Sequence, residues 1–110
     1  MSTNSPRTFQ ELSARNAIAD AESHLDGFRV FLFGSARYKD KPSDIDLLFI
    51  YDPTRIAPQL AYQQLRPVFH AVSLATGCPV HPVVLSQVEE HETEFIESLD
   101  PQPVLLIDKV

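Results

Sequence analysis

Asp44 and Asp46 stand two residues apart in Asp44-Ile45-Asp46-Leu47, and in an extended chain that spacing turns both carboxylates to one face. Carboxylates held side by side repel, so one keeps its proton unless a cation compensates. Hard divalent ions suit such a pair, and Mg²⁺ in particular takes one or two protein carboxylates together with substrate phosphates. Ten residues upstream, Gly34-Ser35 follows an apolar run. The glycine lets a ligand come close to the backbone, and the serine offers a hydroxyl and an amide of the kind that holds phosphate. Arg37, Lys39 and Lys41 lie between the two motifs, three of only nine basic residues in the chain. They are expected to form a local positive collar beside an anion site. Phosphate-holding backbone, cations and a metal-ready acid pair together point to phosphoryl or nucleotidyl transfer, where metal ions and positioning supply most of the catalysis. Taken one by one, the same residues have plainer explanations. The acids could be turn formers at a strand entrance, and the basic residues a solvated loop.

The elements that must position these groups are legible from periodicity and punctuation. Thr8-Phe9-Gln10-Glu11 is a capping box. Leu12, Arg15, Ile18, Ala19, Glu22 and Leu25 follow at helical spacing, with Gly27 closing the helix. Phe28–Phe33 is a short apolar run expected to be a buried strand. A polar loop from Ala36 to Ser43 leads into a second strand, Asp44–Tyr51, which Asp52-Pro53-Thr54 ends. A long helical pattern covers Ile56 to Thr76, with Leu60, Ala61, Leu65, Val68, Val72 and Ala75 on one stripe. Pro67 inside it predicts a kink or two consecutive helices. Pro79–Leu85 is a third strand, and Ser86-Gln87-Val88-Glu89 is a second capping box opening a helix through Leu99. Val104–Ile107 is a final strand. The expectation is one domain over residues 1–110, an α/β (α+β) fold with a mixed sheet of about four strands and helices packed on it.

Composition narrows the function further. Nine basic residues against fifteen acidic ones leave a net charge of −6, with a pI near 5.0. General binding of nucleic acid, which depends on neutralising phosphates, is therefore not expected. A single cysteine, Cys78, excludes an intramolecular disulfide and fits a reducing cytoplasm. With four histidines and that one cysteine scattered, no zinc-ligand spacing exists. No apolar run approaches the ~20 residues that span a bilayer, so no membrane association is expected.

Gly34-Ser35, the loop, and Ser43-Asp44-Ile45-Asp46-Leu47 resemble the signature of the DNA polymerase β-like nucleotidyltransferase superfamily. The chain is similar, over its whole length and in the order of its elements, to the minimal nucleotidyltransferases of that superfamily. The resemblance implies that Gly34 and Ser35 hold a triphosphate, with Arg37 and Lys39 nearby, and that Asp44 and Asp46 bind two Mg²⁺ ions. It also implies transfer of NMP, AMP in the usual case, from ATP or another NTP to a hydroxyl of a protein or small molecule. The loop between the motifs is shorter than in many members. A third carboxylate normally completes the metal site from the third strand, and by strand order that position falls to His81. Histidine is a poor Mg²⁺ ligand. Neutral His81 is able to act as a general base; it is equally consistent with a strand histidine satisfied by neighbours, or with a lost active site. Glu89 or Glu90 offers a replacement carboxylate. The alternative function is an interaction module with impaired catalysis, such as an antitoxin or complex subunit bound to a HEPN-type helical partner. So short a chain leaves the acceptor side open, which predicts a homodimer or such a partner to complete it. A haloacid-dehalogenase-like phosphatase also uses Asp-x-Asp, but there the apolar strand precedes the acids, whereas here it follows them.

Overall fold

The structure is a computed structural model that describes residues 8–39 and 41–110. In chain order it contains helix α1 (Phe9–Asp20), a 3₁₀ turn at Glu22–His24, strand β1 (Phe28–Phe33), a second 3₁₀ turn at Gly34–Arg37 and strand β2 (Ile45–Tyr51). Helix α2 (Pro58–Thr76), strand β3 (Val80–Ser86), short helices α3 (Gln87–Thr93) and α4 (Phe95–Ser98), and strand β4 (Val104–Asp108) complete it. The four strands form one mixed sheet in the order β3-β2-β1-β4. β1 runs antiparallel to both β2 and β4, and β2 runs parallel to β3.

Alternation sets the two sides of this sheet. Phe28, Val30 and Leu32 of β1, and Ile45, Leu47 and Phe49 of β2, are fully buried and join a core with Ile18 of α1 and Leu65, Val68 and Val72 of α2. Asp46, Leu48 and Ile50 project from the opposite side by the same alternation. β3 is an edge strand, which is why Pro82, with no amide to donate, fits within it.

Three expectations about the helices are corrected. α1 ends at Asp20 rather than running on to Leu25. Its buried stripe is Glu11, Ala14, Ala17 and Ile18, with Leu12 on the surface. α2 is one helix rather than two consecutive ones, with Pro67 inside it, and Leu60 and Ala75 of its expected stripe are exposed. Pro67 and Gln63 are both exposed, so the Gln63 carbonyl that the proline leaves without an amide lies on a face where solvent can reach it. The helix after β3 opens with the expected capping box, in which the Ser86 hydroxyl accepts from the Glu89 amide and the Glu89 carboxylate accepts from the Ser86 amide. It breaks at Glu94, whose left-handed backbone (φ 52°) starts α4. The break brings Phe95 edge-on to Phe33, with ring centroids 5.7 Å apart.

Candidate functional site

The acid pair forms where β2 begins. Asp44 is the residue before the strand rather than its first residue, and Asp46 is the second residue within it. β1 places Phe33 opposite Asp46, so Gly34, the next residue, sits against the Asp46 carboxylate. Gly34 adopts a left-handed conformation (φ 77°), and a Cβ built on it runs into the Oδ2 oxygen of the Asp46 carboxylate. Glycine is required here twice, for the backbone conformation and for the space. The bend at Gly34-Ser35 and the acid pair are thus neighbours in space, although ten residues separate them along the chain.

β3 supplies the third member. In the parallel register, Asp46 lies opposite His81, and His81 Nδ1 is 2.9 Å from Asp46 Oδ1. One ligand-capable atom from each of Asp44, Asp46 and His81 lies within 4.8 Å of the others. The Asp46 side chain is 15% exposed and that of His81 is 65% exposed. The cluster is therefore a half-sheltered rim open to solvent on the histidine side. Among the described residues, no lysine or arginine forms an ion pair with Asp44 or Asp46.

The basic residues of the loop separate. Lys39 and Lys41 are exposed. Arg37 is buried and does not belong to a surface collar. Its Nε lies 3.3 Å from Glu11 Oε1, and its Nη1 donates to the Gln102 carbonyl at 2.6 Å. The cause is Glu11, a carboxylate with no solvent exposure, which demands a cation in return for its lost hydration. Arg15 adds a second cation, with Nε 3.6 Å from Glu11 Oε2. Nearby, the Thr8 hydroxyl accepts from the Glu11 amide and donates to the Ala36 carbonyl at 2.8 Å. The start of α1 thus grips the 3₁₀ turn that carries Gly34 and Ser35. Sequence reasoning missed this support; its only available signal was an acidic residue placed on the buried stripe of α1.

Glu89 and Glu90 do not join the acid pair. Glu89 is committed to its cap, and Glu90 accepts from the Ile96 amide at 3.1 Å. Glu89 follows Ser86, which stands opposite Tyr51 at the far end of the strand pair, about 16 Å from the Asp46–His81 rung. Its charge there, together with burial, raises the pKa of Tyr51, burial being the larger cause. A cavity of about 450 Å³ lies elsewhere, between α1 and α2, lined by Ala17, Ala21, Ala71 and Ala75 with Asp20 and His24 at its polar side. It lies on the helical side of the sheet and contains no convergent pair of carboxylates.

Chemically, the two carboxylates fit a hard divalent ion whose remaining ligands come from phosphate oxygens and water. The imidazole beside them is a ligand that a hard ion does not favour. No family model matches the chain, and no curated protein or solved structure matches it either. Among the described residues no helix is long and apolar enough to cross a membrane.

Proposed function

We propose that the chain is a divalent-metal-dependent nucleotidyltransferase with a polymerase β-like fold, which transfers NMP, with AMP as the first candidate, from an NTP to a hydroxyl acceptor. The observation that carries this reading is the convergence of Asp44 and Asp46 beside a left-handed Gly34 whose missing side chain leaves room for the Asp46 carboxylate. Asp44 and Asp46 would hold Mg²⁺, which supplies charge neutralisation for the phosphates when bound. Ser35 brings its hydroxyl to the bend, and exposed Lys39 and Lys41 draw the anion toward an otherwise acidic protein. Arg37 is a positioning residue: through Glu11 it fixes the bend on α1. In the reaction, the acceptor hydroxyl would give its proton to solvent water, its oxygen would bond to the α-phosphorus, and the bond from the α-phosphorus to the bridging oxygen of the β-phosphate would break to release pyrophosphate.

A second copy of the chain, or a HEPN-type helical partner, would complete the acceptor side beyond the exposed histidine edge. The test is transfer of label from ATP carrying a labelled α-phosphate, with Mg²⁺, to the chain itself, to a co-expressed helical partner and to small hydroxyl acceptors. Transfer that disappears in Asp46→Asn supports the assignment. Partner binding that survives Asp44→Asn with Asp46→Asn, in a chain that transfers no label, would establish the interaction module instead.

A further inference from the structure

We propose that the Asp44–Asp46–His81 cluster is a mixed oxygen and nitrogen site that selects a later first-row transition ion, such as Co²⁺ or Zn²⁺, over Mg²⁺. The inference deepens the metal-dependent reading above and rests on it for the use of the ion, although not for its binding.

The geometry places the histidine inside the donor set. β2 and β3 run parallel with Asp46 opposite His81, so the imidazole leaves the sheet at the same rung as the carboxylate. His81 Nδ1 is 2.9 Å from Asp46 Oδ1, and a ring nitrogen of His81 lies within 4.8 Å of a carboxylate oxygen of Asp44. In a metal-bound state one atom from each of the three side chains can close on an ion at ordinary bond lengths of ~2.0–2.2 Å by side-chain rotation. Room for that rotation exists, because His81 is 65% exposed and Gly34 carries no side chain toward Asp46.

The donor chemistry then sets the preference. Two carboxylates alone suit Mg²⁺, Ca²⁺ and Mn²⁺, whereas imidazole suits the later first-row ions and contributes little to Mg²⁺. Any site favours transition ions somewhat along this series. The specific consequence of His81 is therefore that part of the preference resides in one side chain. Changing His81 to a carboxylate should push the selectivity back toward Mg²⁺, since the site would then offer oxygen ligands alone.

The experiment is calorimetric titration of the full chain, without nucleotide, with Co²⁺, Mn²⁺ and Mg²⁺ separately, for the unaltered protein, His81→Ala and His81→Asp. Thermal melts of the unliganded proteins check that each variant folds; an exposed edge-strand side chain is not expected to change them. The proposal predicts that His81→Ala weakens Co²⁺ at least about tenfold and leaves Mg²⁺ within about twofold. It predicts that His81→Asp lowers the Co²⁺-to-Mg²⁺ affinity ratio by at least about tenfold. Pulsed electron paramagnetic resonance of the Mn²⁺-loaded protein should show a directly bonded nitrogen that vanishes in His81→Ala. Equal losses for all three ions, an unchanged ratio in His81→Asp, nitrogen coupling that persists without His81, or no binding of any ion would each overturn it. A His81-dependent ion in a protein that transfers no nucleotide would refute the nucleotidyltransferase reading alone. Nucleotide transfer with Mg²⁺, indifferent to His81 in all these titrations, would refute only the metal preference.

Discussion

Two acidic clusters flank the bend at Gly34-Ser35, and they are treated in opposite ways. Glu11 is fully buried and, among the described residues, is held by the cations Arg37 and Arg15. Asp44 and Asp46 are half-buried, converge on one another and, among the described residues, receive no fixed cation, only the imidazole of His81. A buried carboxylate with matched cations has its charge satisfied by the fold and serves structure. Carboxylates brought together without such a match retain an electrostatic demand that an ion can meet, at a cost in self-repulsion that the fold tolerates. The contrast separates the residue that steadies the bend from those that offer chemistry.

The largest effect should come from breaking the satisfied cluster. Arg37→Met removes the nearer cation from a carboxylate with no solvent exposure and frees the Gln102 carbonyl. It should destabilise the protein by ~3 kcal/mol. At ~4 °C per kcal/mol this lowers Tm by roughly 12 °C. Combining it with Glu11→Leu should recover most of the loss, because two apolar side chains replace the buried pair. A single variant that melts within about 1 °C of the unaltered protein would remove the distinction between the clusters.

Gly34→Ala comes next, because it touches both regions. The left-handed backbone alone costs ~1–2 kcal/mol, and the new Cβ displaces the Asp46 carboxylate. Denaturant unfolding should show that loss, and divalent-ion affinity should fall with it. In contrast, Asp44→Asn should leave stability unchanged or raise it by less than about 1 kcal/mol, since among the described residues it breaks no ion pair. The same variant should lose divalent-ion binding at least about tenfold by calorimetry. A marked loss of stability in Asp44→Asn would show that the acid pair is structural after all.

The smallest effect lies far from both clusters and serves as a control. Asp52 accepts from the Thr54 amide and hydroxyl, and these bonds hold its carboxyl below the usual range, with the Arg55 charge a lesser aid. A carboxyl with a depressed pKa adds stability above its unfolded value of ~3.9 and loses it as pH falls through the folded value. Thr54→Ala should therefore lower Tm slightly at pH 7 and by less as pH falls below the ordinary carboxyl range, with ion binding unchanged. An equal shift at pH 7 and below that range would sever the effect from Asp52.

The sequence was informative wherever a single local rule decided the outcome. Alternation placed Asp44 and Asp46 together, the serine and glutamate at 86 and 89 formed their capping box, and apolar runs marked all four strands. Legibility failed where a side chain had a choice of partners. Arg37 carries the same charge as Lys39 in the same loop, and only the buried Glu11 of a distant helix explains why it turns inward. Glu94 breaks the last helix in a conformation that glycine usually marks, so no residue type announced it. Pro67 did not divide α2 into two helices, because a proline on an exposed face of a long amphipathic helix leaves its orphan carbonyl within reach of solvent. His81 was placed on its strand, but its hydrogen bond to Asp46 depends on the parallel register of β2 and β3, which no local pattern encodes.

The central claim is that Asp44 and Asp46 beside the Gly34-Ser35 bend hold a divalent ion together with a triphosphate. Calorimetric titration of ATP into the full chain, with and without Mg²⁺, and into the Asp44→Asn, Asp46→Asn double variant tests it most directly. The account predicts Mg²⁺-dependent binding that the double variant loses while its melting temperature is kept. Binding of ATP that is equally strong without Mg²⁺ or without either carboxylate, or no binding at all, would contradict it.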